Sequence, residues 1–501
     1  MPISKTETEL EASGTEAVQT RATASHQVSA ALARTPLRFF TLLGLFTISP
    51  LVESVHLSSL TSLSGADVWW HLRTGLWILQ NHVLPHSGIY SQSSQLPWIA
   101  ASWTYDVFLA LAYKVLGLAV IPGLLMFFRA TLAVVTFLLA GGLRGRFWMA
   151  VVLSAIAQYI LAAFMPTPAY GSILLFGIEL LVLREARSDR TFLWLVPLFF
   201  VWANVSPQFA YGLAALLLFV LAKLIQQRGR IGRTVILVSV ASLVSTVFTP
   251  YLLGVWGSFF HSVTSAASDH FPDYAAMRFH QPQDYLLLLL AMTAFLTLGL
   301  RRSRDLFQIL LLVGCASLSF YSQRDIWLVT LAAITVIAGA KKTTHEPNFL
   351  AQKLRLAVLG AAALILILVF ALLVPHRGDA LLAKTSETYP VAAANYIRDH
   401  NLPQPLFNSY EWGGFLVWYQ PEIPVAIDGR TDLYPDDVYI TYSKVMNADL
   451  PYTSYPAFVQ ARTILLPRHS VIAEALSAVP AFHVVYQDEV STVLAPAAQE
   501  P

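Results

Sequence analysis

The stretch Gly65–Gly75, which reads GADVWWHLRTG, holds side chains that could carry out chemistry at a membrane surface. If the stretch is helical, Asp67, Trp70 and His71 share one face, because residues three and four positions apart are neighbours on a helix. A carboxylate can accept a proton during a reaction, and an imidazole beside it can assist. Tryptophan is also enriched at the headgroup level of membranes for physical reasons alone, so an interfacial anchor is the alternative interpretation.

The composition predicts a membrane protein around this stretch. Of the 501 residues, 56% are hydrophobic and only 12% are charged, whereas about a quarter of the residues in an ordinary soluble protein are charged. The net charge of +2 is too small to indicate nucleic acid as a partner. Cys315 is the single cysteine, which excludes an intrachain disulfide. We therefore expect a polytopic α-helical membrane protein.

Apolar runs recur along the chain, and a run of roughly 17–25 residues can cross the hydrocarbon core of a bilayer. We predict about 11 spans, some of them short enough to need a surrounding bundle. They lie near 38–57, 122–140, 147–164, 168–184, 192–206, 208–223, 232–250, 283–300, 305–320, 324–340 and 354–375. Arginine and lysine recur in the short loops on one side, which the positive-inside rule assigns to the cytoplasm. The expected location is the plasma (inner) membrane, with the N-terminus cytoplasmic and the C-terminus outside.

One apolar segment, Trp103–Gly117, would break the alternation of loops between the two sides of the membrane if it crossed. It is short, it carries Asp106 and Lys114, and a crossing here would put the basic loops or the N-terminal tail on the wrong side. We interpret it as a re-entrant or interfacial helix on the outer face, within a first external loop over 58–121. The tail 1–37 is rich in Ser, Thr, Ala and Glu and is predicted to be disordered and cytoplasmic.

After residue 380 the sequence changes to mixed polar and apolar residues with alternating helix and strand patterns. The segment 381–501 is predicted to be an extracytoplasmic α/β domain large enough for its own core. The predicted strands are Pro405–Asn408, Val425–Ile427, Thr463–Pro467 and a hairpin of Phe482–Tyr486 with Val490–Leu494.

The run Asp67–Arg73 has the order Asp, any residue, two aromatics, His, any residue, Arg, and it follows a first transmembrane helix. It resembles the first external loop of the GT-C membrane glycosyltransferases, which include the oligosaccharyltransferase catalytic subunit and the protein mannosyltransferases. The resemblance implies that the aspartate of this loop lies in the active site and that the donor is a sugar on a polyprenyl phosphate or pyrophosphate. It makes Asp67 the candidate catalytic residue, surrounded by Trp70, His71 and Arg73.

Two arginines are candidates for the phosphate of such a donor, because a guanidinium makes charge-assisted, forked bonds to phosphate oxygens. Arg129 lies about 10 Å into the span that begins at Pro122, at 1.5 Å per residue. Arg324 lies at the outer start of the tenth span. The alternatives are that Arg129 extends to the outer headgroups, and that Arg324 with Asp325 only holds a helix end.

The α/β domain carries a second group of candidates around the motifs Tyr410–Gly414 and Asp428–Arg430. The order of elements resembles the oligosaccharyltransferase segment around its W-W-D-Y-G motif, which recognises the acceptor peptide, but the residues depart too far for a peptide acceptor to be inferred. The predicted acceptor-side residues are Glu411, Trp412, Asp428 and Arg430. Alternatively, the glycines of the first motif allow close packing and Asp428 pairs with Arg430 or caps a turn.

No metal ligands are assigned. The external loop 251–284 contains histidines and aspartates, but no H-x-x-x-H or D-x-D pair, so a divalent metal is an alternative that the spacing does not support. The expected partners are membrane lipid, a polyprenyl-phosphate-linked sugar donor and an unknown acceptor. The leading hypothesis is a membrane glycosyltransferase that acts on the outer face. The alternative is a non-catalytic membrane protein that binds or transports a lipid-linked glycan.

Overall fold

The computed structural model describes residues 36–50, 67–143, 146–185, 189–229, 231–265, 275–339, 352–373 and 378–497. The chain is a mostly helical, multi-span membrane protein with a small mixed sheet near its C-terminus. The predicted disordered tail, except its last two residues, lies outside the described residues. So does 58–66, the start of the predicted first external loop.

Each apolar run predicted from the sequence contains a helix. The helices of this part are α1 (36–50), α2 (Asp67–Asn81), α3 (Trp103–Leu116), α4 (Val120–Leu139), α5 (Phe147–Ile160), α6 (Pro168–Glu185), α7 (Asp189–Phe192), α8 (Leu195–Val205), α9 (Phe209–Gln226), α10 (Arg233–Ser245), α11 (Gly254–Thr264), α12 (Pro282–Leu300), α13 (Leu306–Tyr321), α14 (Ile326–Ala338) and α15 (Gln352–Leu373). By length and composition, α9, α12, α15 and the run Trp103–Leu139 could cross a membrane, while α5, α10 and α13 are shorter apolar helices.

Helices α2 and α3 are packed backbone against backbone. A methyl group added at Gly75 would lie 1.9 Å from the carbonyl oxygen of Asp106, so only glycine permits this approach. The opposite side of α3 exposes Phe108, Leu111 and Val115, which recur at helical spacing. An apolar stripe left uncovered by protein is typical of a helix that lies in a membrane interface.

The C-terminal domain places short helices around a four-stranded sheet of order β1-β2-β4-β3. Its elements are α16 (Gly378–Thr385), α17 (Val391–Asp399), β1 (Leu406–Asn408), α18 (Tyr410–Tyr419), α19 (Asp436–Met446), α20 (Pro456–Gln460), β2 (Thr463–Pro467), α21 (Val471–Ser477), β3 (Phe482–Gln487) and β4 (Ser491–Pro496). Strand β1 pairs with β2 in parallel, and the pairs β2–β4 and β4–β3 are antiparallel. The sequence predicted β1, β2 and the β3–β4 hairpin.

The prediction that Val425–Ile427 is a strand of this sheet is wrong. Val425 instead forms an isolated parallel bridge with Ser91 of the first loop. Its amide donates to the Tyr90 carbonyl over 3.0 Å, and its carbonyl accepts from the Gln92 amide over 2.9 Å. The apolar pattern identified a buried extended segment correctly, but such a pattern does not say which segment pairs with it. The consequence is a backbone connection between the first loop and the C-terminal domain.

Aromatic packing completes the contact between these two parts of the chain. Trp69 of α2 lies with its ring centroid 5.4 Å from Phe415 and 4.7 Å from Trp418, both on α18. On the other side of α18, a methyl group at Gly413 would lie 2.1 Å from the Ile427 carbonyl oxygen. Close packing at Gly413 therefore holds the chain just before Asp428 directly against α18.

The first prediction concerns α3, which we expect to lie on the outer face without crossing the membrane. In a Cys315→Ala background, the exposed sites Ser94 and Lys114 flank most of this helix. Single Ser94→Cys and Lys114→Cys variants should both react with an impermeant maleimide added to intact cells, because both ends of α3 are then outside. The exposed Arg302→Cys site should react only after permeabilisation. Reaction at position 114 only after permeabilisation would make α3 a true span.

Candidate functional site

Asp67 is the first residue of α2, where the helix dipole favours a carboxylate. Its side chain is half-buried, and Oδ1 accepts a hydrogen bond of 3.1 Å from Trp70 Nε1, one turn later. The turn at Gly429 lies directly against it: a methyl group there would be 2.4 Å from Asp67 Oδ1 and 3.3 Å from Trp70 Nε1. The structure thus brings together Asp67 and the Asp428–Arg430 motif, 361 residues apart in sequence (428 − 67 = 361).

The Gly429 turn is held by a buried ion pair. Arg430 donates from Nε to Asp428 Oδ1 over 2.9 Å and from Nη2 to Oδ2 over 2.6 Å, a forked arrangement. Burial lowers the pKa of Arg430, but the charge and hydrogen bonds of Asp428, together with the nearby Tyr434 and Tyr439, outweigh it and the pKa is raised. Tyr434 donates a third bond to Asp428, of 3.1 Å. Burial and the Asp428 charge keep the pKa of this phenol well above its ordinary value, so it remains a donor.

The ion pair also connects to the first loop. Arg430 Nη1 donates to the Ile89 carbonyl over 2.8 Å, and the guanidinium lies 4.9 Å from the centre of the Trp98 ring. Trp98 in turn packs its ring at 6.0 Å, nearly perpendicular, to that of Trp70. The interpretation that Asp428 pairs with Arg430 is therefore correct. Because both side chains are buried, they support the site rather than face an incoming molecule.

Sequence reasoning missed Trp98 and Asp432. Trp98 Nε1 donates to Asp432 Oδ1 over 2.9 Å, and Ser258 of α11 donates to Oδ2 over 3.0 Å. These bonds extend the contact from the first loop through the C-terminal domain to α11. No local spacing marks Trp98, because Asp432 and Arg430, which it contacts, come from the far end of the sequence.

His71 lies on the α3 side of α2 as half of a buried pair. Its Nδ1 is 2.6 Å from Oδ1 of Asp106, and both side chains are nearly inaccessible. The Trp70 ring stacks on the imidazole with centroids 3.6 Å apart. A carboxylate on Nδ1 fixes the ring orientation and the tautomer of a histidine. Asp106 was noted in the sequence only as a charge inside α3; a lone carboxylate in an apolar helix was the available signal.

Arg73 lies at the edge of the contact between the first loop and the C-terminal domain. Its guanidinium is 4.9 Å from the centre of the ring of Tyr90, whose carbonyl accepts from the Val425 amide beside the Ser91–Val425 bridge. Burial raises the pKa of Tyr90, although the charges of Arg73 and Arg430 both act to lower it. Arg73 is thus held among the residues that join the first loop to the C-terminal domain.

The two arginines predicted for phosphate lie in α4 and in the short turn just before α14. Arg129 is buried and donates from Nη2 to the Ala162 carbonyl, so it faces protein and does not extend to the headgroups. Arg324 is half-buried in the 3₁₀ turn Gln323–Asp325, where Asp325 accepts a bond of 2.9 Å from Tyr211.

The remaining acceptor-side candidates differ in exposure. Trp412 is buried, whereas Glu411 is exposed in the first turn of α18. The charges of Asp67 and Glu411 both act on Tyr389, whose pKa is raised chiefly by burial. Glu411 is therefore the candidate of this group that solvent and a bound molecule could reach.

In the described parts of the chain, no group of three or more His, Cys, Asp or Glu residues is suited to a metal ion. His261 of the predicted loop 251–284 is described, whereas Asp269, His270 and Asp273 lie outside the described residues.

Among the solved structures to which the chain is similar are two states of one protein. The chain is structurally similar to ArnT over 95% of its length. The crystal structure of ArnT from Cupriavidus metallidurans bound to undecaprenyl phosphate has 14% sequence identity, a TM-score of 0.45 and 99% of its own chain covered. Its apo state has the same identity and coverage, with a TM-score of 0.46.

No family model matches the chain, and neither does any curated protein.

The second prediction tests the buried ion pair. Arg430→Met should lower the thermal stability of the detergent-solubilised protein strongly, because removing one partner of a buried pair costs about 3–5 kcal/mol. The double variant Asp428→Leu with Arg430→Met should recover part of that loss, since no uncompensated charge stays buried. Thermal unfolding curves of the three proteins make the comparison. If the Arg430→Met protein were as stable as the parent, the ion pair would not stabilise the fold.

Proposed function

We propose that this protein is a membrane glycosyltransferase that moves a sugar from a polyprenyl-phosphate-linked donor to an acceptor on the outer face. The observation that carries the proposal is the half-buried Asp67 carboxylate, which lies at the start of α2 and against the Gly429 turn of the C-terminal domain. In the proposed GT-C-like arrangement of about 11 spans, this contact lies where the first span reaches the outer surface. A lipid-linked donor and a water-borne acceptor can meet there.

The chemistry needs one base. Asp67 accepts the proton of the acceptor hydroxyl as its oxygen bonds to the anomeric carbon, the bond from that carbon to the phosphate oxygen breaks, and polyprenyl phosphate leaves. One carboxylate is sufficient for such an inverting transfer. Trp70 Nε1 fixes Oδ1, and no hydrogen bond among the described residues uses Oδ2, which we assign to the acceptor. The Trp70–His71 stack and Asp106 keep this face of α2 rigid.

The donor phosphate requires positive charge near the outer ends of the spans. Arg324 is our first choice, because it is half-buried at an outer helix end, and Arg129 is our second, because it is buried among helices that meet the loop after α5. On the acceptor side we assign Glu411 to contact with the acceptor. Asp428 and Arg430 support the turn.

The alternative from the sequence, a non-catalytic protein that binds or transports a lipid-linked glycan, would use the same surfaces without needing a base. The two functions differ in what happens when the Asp67 charge is removed. A binding protein keeps its function, and an enzyme loses it.

The third prediction is that Asp67→Asn abolishes transfer while the fold remains. The amide oxygen can still accept from Trp70, but the basicity is lost, which typically costs about 10²–10⁴-fold in rate. The assay is sugar transfer in membranes supplied with lipid-linked donors extracted from the host. Asp399→Asn, at an exposed surface site, is the control. Full transfer activity in the Asp67→Asn protein would contradict the proposed function.

The fourth prediction separates the position of Asp67 from its charge. Gly429→Ala places a methyl group 2.4 Å from Asp67 Oδ1, so the carboxylate has to move. A displacement near 1 Å can cost on the order of 10²-fold in rate, and we expect a lower kcat of that order. Gly257→Ala is the matched control, since nothing lies within 4 Å of its added methyl group. Equal kcat values in the two variants would mean that the Gly429 contact does not position the base.

A further inference from the structure

Helix α11 has one exposed apolar face. Leu253 at its start and Phe260 are each more than half exposed, and Trp256 between them is partly exposed. These positions are three and four residues apart, so they share one side of the helix. Gly254–Thr264 contains no lysine, arginine, aspartate or glutamate, and His261 is its single titratable side chain. From the sequence this segment was expected to be part of an external loop; in the structure it is an amphipathic helix.

The other side of α11 is bound to the C-terminal domain. Ser258 Oγ donates a hydrogen bond to Asp432 Oδ2 over 3.0 Å. Ser265, the residue after the helix, donates to Asp436 Oδ1 over 2.6 Å. Val255 on the same helix is fully buried. The helix therefore makes polar contacts with the domain on one side and keeps an apolar surface on the other.

The exposed face of α11 continues an apolar surface that begins on α10. Val240, Val244 and Phe248 are each about half exposed or more, and they follow one another at helical spacing. Leu252 and Leu253, which come next along the chain, are more than half exposed as well. A large exposed apolar surface marks a site of contact with protein or membrane. In a multi-span membrane protein, a surface that runs along a helix of the bundle and onto α11 is suited to lipid.

We propose that α11 lies in the bilayer leaflet on the side of the C-terminal domain, with Leu253, Trp256 and Phe260 among the lipids, and holds the domain at the membrane surface. An interfacial amphipathic helix buries its apolar face about 5–10 Å into the boundary between headgroups and acyl chains. Tryptophan is enriched at this level. Because the helix lacks lysine and arginine, burial of apolar surface provides the binding, without attraction to anionic headgroups.

The position of α11 also fixes the depth of the candidate site. Asp432, which accepts from Ser258, accepts a second bond from Trp98 Nε1 over 2.9 Å. Trp98 packs on Trp70, and Trp70 Nε1 donates to Asp67. These contacts join the lipid-facing helix to the Asp67 carboxylate. In the function we propose, the phosphate of the donor lies at the headgroup level, so α11 sets the carboxylate at a matching depth.

The test locates the exposed face of α11 in the full-length protein, reconstituted into phosphatidylcholine vesicles. In a Cys315→Ala background, nitroxide labels on Leu253→Cys and Phe260→Cys should collide more with oxygen, which concentrates in the bilayer, than with a water-soluble nickel chelate. A label on Asp399→Cys, at an exposed site of the C-terminal domain, should show the opposite order. More collision with the chelate at positions 253 and 260 would place α11 in water. Little collision with either reagent would mean that protein, such as a second copy of the chain, covers the face. Both results would overturn the proposal.

A second measurement tests the connection between α11 and the domain. Ser258→Ala removes one hydrogen bond to the Asp432 carboxylate, so amide hydrogen exchange in 430–434 should become roughly 10-fold faster or more. Ser317→Ala, at an exposed site on α13, is the matched control and should leave this exchange unchanged. Unchanged exchange in Ser258→Ala would show that α11 does not hold the domain. Neither measurement uses sugar transfer, so both outcomes are separate from those of the Asp67 variant.

Discussion

The forked ion pair between Asp428 and Arg430 is the interaction on which the candidate site depends. Burying two charges is costly, and such a pair persists only when its geometry is good and its remaining hydrogen-bonding groups are satisfied. Tyr434 donates to Asp428, and the Ile89 carbonyl accepts from Arg430. Because one of these partners belongs to the first loop, the pair is fully satisfied only when the loop and the domain are in contact. The electrostatics of the pair thereby select the arrangement that sets Gly429 against Asp67.

Several weaker contacts also hold the first loop against the C-terminal domain. Ser91 and Val425 form a backbone bridge, and Ser91 Oγ is 2.9 Å from the Tyr434 hydroxyl. Trp69 packs against the aromatic face of α18. Each contact joins segments more than 300 residues apart, so the loop and the domain gain them together or not at all. In the function we propose, Asp67 is positioned at this contact only in the assembled molecule, and such preorganisation is what catalysis by a single carboxylate would require.

The sequence predicted what depends on local pattern. Hydrophobic runs identified the helices, and the Asp67 motif identified one face of α2 correctly, since Trp70 donates to Asp67 as the helical spacing requires. Periodicity did not reveal that Val425 pairs with Ser91, that Trp98 packs on Arg430, or that His71 pairs with Asp106. These contacts depend on how distant segments dock, and a single sequence reports only which faces are apolar. In the α/β domain, likewise, the strands of the sheet were predicted from the sequence, but the contact with the first loop was not.

The arginines that oriented the chain by the positive-inside rule also have local structural roles. Arg184 donates to the Leu138 carbonyl over 3.1 Å at the end of α4, as Arg146 and Arg301 do at the end of α14. Cations at helix C-termini bind carbonyls that lack an intrahelical partner and offset the helix dipole. Helices α4 and α14 both end at the side that the basic loops assign to the cytoplasm. Some of the arginines that make the loops on this side basic therefore stabilise helix ends directly. The same residues support both the predicted topology and the fold. The predicted membrane orientation and the packing of the bundle therefore depend on some of the same residues.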